Sequence, residues 1–149
     1  MMRKLDQRGV AALEFCLVAV ALFTLMFAIF DLGRYAITMQ SLRTLANAGA
    51  REIMVQRGNL VDAEGPISCY AYGVKHNNLP TGCTGDPLPS DAAKQAVAPF
   101  SYSGGTPTLA VALGATALTV TASQPGFTML MPIWGTAFNG PSASTSIPF

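Results

Sequence analysis

Charge is scarce in this chain and stops early. Only 11% of its 149 residues are Asp, Glu, Lys or Arg, against about a quarter in ordinary soluble domains. None occurs after Lys94. There is one histidine, and no proline before Pro66. Net charge is close to neutral at +1, which argues against nucleic acid as a partner. The single histidine, His76, sits in the polar stretch Lys75-His76-Asn77-Asn78 and reads as a solvated loop residue. No Gly-Lys-Ser/Thr phosphate loop and no Gly-x-Gly-x-x-Gly opening a helix is present. Residues 58–149 have too few clustered Cys, His, Asp and Glu for a transition-metal site. Asp62, Glu64, Asp86 and Asp91 could form a loose calcium site or serve as loop carboxylates in water, and the second reading is preferred. The chain therefore reads as a non-enzyme with no cofactor and no metal.

The remaining charge is unevenly placed. Residues 1–57 hold seven Lys/Arg and four Asp/Glu, whereas residues 58–149 hold two and four. A long tail without charge suits a surface covered by a partner or by the membrane plane. It also suits a secreted β domain hydrated by Ser, Thr and Gly.

Half of the chain is apolar, and the apolar residues gather at the front. From Val10 to Phe30 every residue is apolar or small except Glu14 and Thr24. As a helix this run spans about 30 Å, the thickness of a bilayer core. An unmet carboxylate there costs roughly 2.5–3.5 kcal/mol on insertion scales. Three readings compete. A cleaved secretory signal would have a shorter apolar core and a small-residue cut site after it. A plain anchor fits the length but leaves Glu14 without a reason. A cut between Gly9 and Val10 accounts for both, because it leaves the helix in place with a new amine about one turn from Glu14. That amine could neutralise the carboxylate of its own chain or of a neighbour, a contact that is strong at low dielectric.

Arg3, Lys4 and Arg8 before the span give a vote for a cytoplasmic N-terminus. Cys69 and Cys83 bracket a Gly-, Pro- and Asn-containing loop that a disulfide would rigidify in an oxidising compartment, with two separate thiols as the alternative. Cys16 lies within the apolar run and reads as a small lipid-facing or core residue.

Beyond the span, Leu32, Tyr35, Ala36, Met39, Leu42, Ala46, Gly49, Ala50 and Ile53 recur at helical spacing. A helix from about Val10 to Arg57 is expected, half in the membrane and half a stalk, stopping near Gly58-Asn59. Its small residues Ala46, Ala48, Gly49 and Ala50 permit close approach of another helix or of the chain's own head, the latter preferred. Residues 59–90, punctuated by Gly, Pro and Asn, read as loop. Ser90 caps a short helix from Asp91 to Ala98. Leu109, Val111 and Leu113, then Leu118, Val120 and Ala122, alternate around Gly114-Ala115-Thr116 as a β-hairpin. The apolar segment with Phe127, Met129, Leu130, Met131, Ile133 and Trp134 reads as a last strand limited by Pro132. Gly140 to Phe149 reads as extended. The expected class is α+β: a long N-terminal helix, transmembrane in its first half and a stalk outside the membrane in its second. It carries a small mixed head with a short helix and an antiparallel hairpin or small sheet. The division is 1–9 leader, 10–57 helix and 58–149 head.

Arg8-Gly9-Val10-Ala11-Ala12-Leu13-Glu14-Phe15, the apolar span, Phe30-Asp31-Leu32-Gly33-Arg34 and the later Leu45-Ala46-Asn47-Ala48-Gly49-Ala50-Arg51-Glu52 together resemble the TadE-like minor pilins, or pseudopilins, of bacterial tight-adherence (Flp-type) pilus systems. Where members often carry a proline early in the span, this chain has Val20. The resemblance implies a type IV pilus subunit of the inner membrane, single-pass, with its head in the periplasm. A prepilin peptidase would cut between Gly9 and Val10. Glu14 would hold register between stacked subunits, and Phe15 would help present the cut site and then pack in the helix bundle. The partners implied are that peptidase, other minor pilins, the major Flp pilin, the inner-membrane assembly platform and the lipid bilayer. Priming, tip placement or adhesion would be its task, with Phe127, Met129, Leu130, Met131, Ile133 and Trp134 as contacts to other minor pilins. A membrane-anchored binding or scaffold protein of the cell envelope is the alternative.

Overall fold

The computed structural model describes residues 7–55, 61–62 and 65–148. Helix α1 (Gln7–Val55) runs 49 residues without interruption, a length of about 70 Å. No proline or paired glycine interrupts it, and Val20 is accommodated in regular helix. The expected stop at Arg57, Gly58 and Asn59 lies outside the described residues. Nearly every side chain from Val10 to Phe30 is exposed, whereas from Asp31 onward one face of α1 is buried. That face carries Asp31, Thr38, Ser41, Leu42, Leu45, Ala46, Ala50 and Ile53. The lower half of the stripe is as expected from the apolar spacing. Its upper half is rotated away from Leu32 and Ala36, which are exposed, toward Asp31, which is bonded to the head, and Thr38, whose hydroxyl donates to the Arg34 carbonyl at 2.9 Å.

The head wraps this face. A two-residue pairing of β1 (Val61–Asp62) with β2 (Gly65–Pro66) leads into helix α2 (Cys69–His76). This helix falls where a loop was expected. Local capping explains it: the Ser68 hydroxyl accepts the Ala71 N–H at 3.2 Å, Lys75 and His76 sit at the negative end, and Asn77 closes the helix in the left-handed region at φ 48°. A turn of 3-10 helix, Thr81–Cys83, then brings Cys83 to Cys69, and the two are joined by a disulfide with Cα atoms 5.6 Å apart. Helix α3 (Asp91–Val97) falls where expected and ends before Pro99, with Ser90 at the N-cap position but without the expected side-chain cap bond.

Strands β3 (Thr108–Leu113), β4 (Ala117–Ser123) and β5 (Ser142–Pro148) form one antiparallel sheet in that order. The hairpin register pairs Val111 with Val120 and Leu113 with Leu118. The third strand is the Ser/Thr-rich tail, pairing Thr145 with Val120 and Ile147 with Leu118. The apolar segment 127–134 is not a strand. Phe127 leaves the sheet to pack on α1, and Pro132 opens a turn of 3-10 helix, Pro132–Trp134. Pro132 has no N–H to give a ladder, so a polar but uninterrupted tail takes the place in the sheet.

Alternation along β4 turns Leu118, Val120 and Ala122 onto α1, where they meet Leu42, Leu45, Ala46, Ala50 and Ile53 in one core. Gly49 sits at the tightest point. A Cβ there would lie 2.7 Å from Leu109 Cδ2, 3.2 Å from Pro87 Cγ and 3.3 Å from Val120 Cγ1. The small-residue stripe thus seats the chain's own head. Two side-chain bonds fasten the tail: the Thr145 hydroxyl donates to Asn47 Oδ1 at 2.6 Å, and the Tyr70 hydroxyl to the Pro148 carbonyl at 2.8 Å.

Gly49→Val should destabilise the head by about 2 kcal/mol through overpacking, read as a lower urea midpoint of Trp134 fluorescence in the detergent-solubilised chain. Replacing Cys69 and Cys83 together by Ala should lower the same midpoint, a loss of about 3 kcal/mol for a loop of this length.

Candidate functional site

Two places on α1 carry the polar chemistry of this chain. The first is its N-terminal end. The Gly9–Val10 bond lies within the first turns of α1, and Val10, Glu14 and Phe15 are exposed on its surface. Thr24, the other polar residue of the apolar run, donates its hydroxyl to the Val20 carbonyl at 2.7 Å and so satisfies itself within the helix. An ionised Glu14 has no donor with which to do the same. The helix places it one turn past Val10, the spacing that a contact with a Val10 amine requires. Residues 1–6 lie outside the described residues. Cys16 is an exposed free thiol on the same run.

The second place is where the head closes on the helix, immediately past the apolar run. Asp31 is 1% exposed. Its Oδ1 and Oδ2 accept the Leu130 N–H at 3.2 and 3.1 Å, and Oδ2 also accepts the Met131 N–H at 3.1 Å. Two successive backbone N–H groups directed at one carboxylate make a small anion nest, and charge assistance makes these bonds stronger than neutral ones. One helical turn on, Arg34 Nη1 stands 3.6 Å from Asp31 Oδ1, while the guanidinium lies 5.4 Å above the Phe127 ring. Phe127 is fully buried and meets Tyr35 at 6.2 Å between centroids. Tyr35 continues edge-on to Phe138 at 5.2 Å, and Phe138 to Trp134 at 5.8 Å. On the far side, the backbone at Gly126 presses on Gly104 so closely that a Cβ at Gly126 would fall 2.0 Å from the Gly104 carbonyl oxygen. Only glycine fits there. The segment 127–134 is therefore held by a carboxylate, an aromatic row and a glycine crossing.

These placements sort the expected contact residues. Phe127 serves the interior and offers no surface. Met129, Met131 and Trp134 are half-buried, while Leu130 at 74% and Ile133 at 60% face outward. Sequence reasoning missed the role of Asp31. The signal available was its position seven residues before Thr38, on the face that Leu42 and Leu45 continue.

Of the other chemistry-bearing residues, Glu64 and the side chain of Asp62 lie outside the described residues, while Lys94, Asp86, Asp91 and His76 have structural partners. Lys94, buried, forms an ion pair with Asp86 and lies 3.9 Å from Asp91. Partial desolvation, and then the Asp91 charge, push the Tyr102 phenol above its ordinary pKa. His76 packs against Tyr72 at 4.3 Å between ring centroids. Among the described residues no group of three or more His, Cys, Asp or Glu converges as metal ligands would.

A helix long and apolar enough to cross a membrane, continuing as the spine of a small α+β head, fits a membrane anchor. Residues 9–51 match the family model described as TadE-like protein, the family that the sequence resembles. The match takes in the apolar run and most of the stalk and leaves the head outside it. No curated protein and no solved structure matches the chain. Over the matched segment the chain is similar to TadE-like proteins, a likeness that suggests a pseudopilin-related role.

Asp31→Ala should cost the head about 3 kcal/mol by leaving the Leu130 and Met131 N–H groups buried and unmet, and Asp31→Asn about half of that. Hydrogen exchange at these two amides should accelerate in both variants. Unchanged exchange would show that the carboxylate does not hold the segment.

Proposed function

We propose that this chain is a minor pilin, or pseudopilin, of a Tad/Flp-type pilus, a subunit that acts by binding and assembly and not by catalysis. The observation that carries the reading is the placement of Glu14 and Phe15 five and six residues after Gly9. They stand at the head of an exposed apolar helix inside the segment that matches the TadE-like family model. In this reading a prepilin peptidase cuts between Gly9 and Val10. The mature subunit waits in the inner membrane, N-terminus toward the cytoplasm and head in the periplasm, until the assembly platform draws it into or beneath the pilus. The bare face from Val10 to Phe30 is then the surface that lipid covers first and neighbouring helices later. Glu14 pairs with the Val10 amine of an adjacent subunit and fixes the axial register between them. The Cys69–Cys83 disulfide suits a periplasmic head. A head of this size, carried on a helix that would suffice for a short major pilin, suits a priming or tip subunit that contributes to adhesion.

The mature N-terminus decides the matter. Mass spectrometry of the membrane-extracted chain should find Val10 first, and Met1 or Met2 first when the prepilin peptidase is deleted. Gly9→Leu should abolish cutting. Glu14→Gln should leave cutting intact but lower piliation about ten-fold or more, the scale of one lost charge-assisted contact. An uncut chain in wild-type membranes would instead assign an anchored binding protein of the envelope.

A further inference from the structure

The face of the head nearest the apolar run carries large aliphatic residues outward. Leu130 and Ile133 are among the most exposed apolar side chains of the head. Thr128 and Pro132 beside them are exposed as well, and Met129, Met131 and Trp134 half so. The height of this segment along α1 is fixed, because Asp31 holds the Leu130 and Met131 N–H groups at 3.1–3.2 Å. Asp31 directly follows Phe30, the last residue of the apolar run. If that run fills the hydrocarbon core, the backbone at 130–131 lies within the headgroup layer, which is only several ångströms thick on each side of a bilayer.

We propose that residues 128–134 form a second membrane contact, with Leu130 and Ile133 dipping into the acyl boundary around the point where α1 leaves the bilayer. The proposal rests on the reading that α1 crosses the membrane. Three features favour lipid as the occupant of this face. The exposed residues of α1 just before Asp31, Phe27 and Phe30, are large and apolar, as Leu130 and Ile133 are. The segment carries no charge to desolvate, because the chain has none after Lys94. At headgroup depth stand Tyr35 and Trp134, the aromatic types that favour the interface, and the half-exposed Arg34, which suits anionic headgroups. The head thus touches the membrane at two points, through the helix and through this loop, and its tilt against the membrane plane is set.

Trp134 is the chain's single tryptophan and reports directly. The full chain is reconstituted into vesicles of phosphatidylethanolamine and phosphatidylglycerol containing lipids brominated either near the glycerol end or near the methyl end of the acyl chains. The shallow bromines should lower Trp134 emission about two-fold, the deep ones less, as expected for an interfacial indole. Aqueous iodide should have little effect. Leu130→Asp combined with Ile133→Asp should remove the bromolipid quenching and raise that by iodide, with the disulfide still formed. Val20→Trp, at the middle of the apolar run, in a Trp134→Phe background reports the span alone and should be quenched most by the deep bromines. A quenched span reporter with Trp134 open to iodide overturns the loop contact and leaves the span standing. Trp134 shielded from both quenchers overturns it in favour of a protein neighbour. An unquenched span reporter overturns membrane crossing itself, and the loop contact with it.

Discussion

The carboxylate of Asp31 is the constraint on which the head's arrangement turns. A charged group so close to the end of an apolar run is tolerable in the buried state only if donors meet it, and the donors come from residues 130 and 131, about a hundred positions away in sequence. Once they are fixed there, Phe127 reaches the Tyr35 ring, the 3-10 turn at Pro132 carries Trp134 back over Phe138, and the chain is delivered to the edge of β4 as strand β5. Arg34 spreads the charge by bridging the carboxylate and the Phe127 face. Three kinds of interaction therefore meet within one helical turn, and each depends on the others being in place.

The sheet imposes a complementary requirement. Three strands with Leu118, Val120 and Ala122 on one face cannot bury that face against themselves. The second half of α1 supplies the missing layer, and Gly49 lets it approach Leu109 and Val120 closely. The stalk is thus not a support on which an independent domain sits but half of the domain's core. Removing it would leave the sheet with nothing to cover it.

Much of this was legible in order. An apolar run of bilayer length, a small-residue stripe, and two alternating segments around Gly114 carry strong periodic signals, and the helix and hairpin stand where those signals put them. The Cys69–Cys83 bridge was one of two readings of a short intervening loop, and it is the one the structure contains. Three things were hidden, each for a physical reason. Helix α2 depends on the Ser68 and Asn77 caps within a stretch whose glycine and prolines suggested loop. The last strand is polar because it lies at the sheet edge and draws its stability from the backbone ladder to β4, so hydrophobicity pointed instead to the segment containing Pro132. The role of Asp31 is set by a partner far off in the sequence: local spacing puts it on the buried face with Thr38 and Leu42 but does not name the backbone N–H groups that it binds. The glutamate at the other end of α1 was legible because lipid makes its cost unmistakable, whereas Asp31 falls just past the apolar run, where no such cost singles it out.

The unbroken course of α1 gives the molecule a mechanical property. Its first half belongs to whatever surrounds the apolar face and its second half is the core of the head, with no glycine pair, proline or loop between them to act as a hinge. A pull on the lower half therefore arrives at the sheet as displacement and not as bending, and a rotation of the lower half turns the head through the same angle. The chain is a rod with its load fastened along the shaft, built to convey axial force without losing it in a flexible neck.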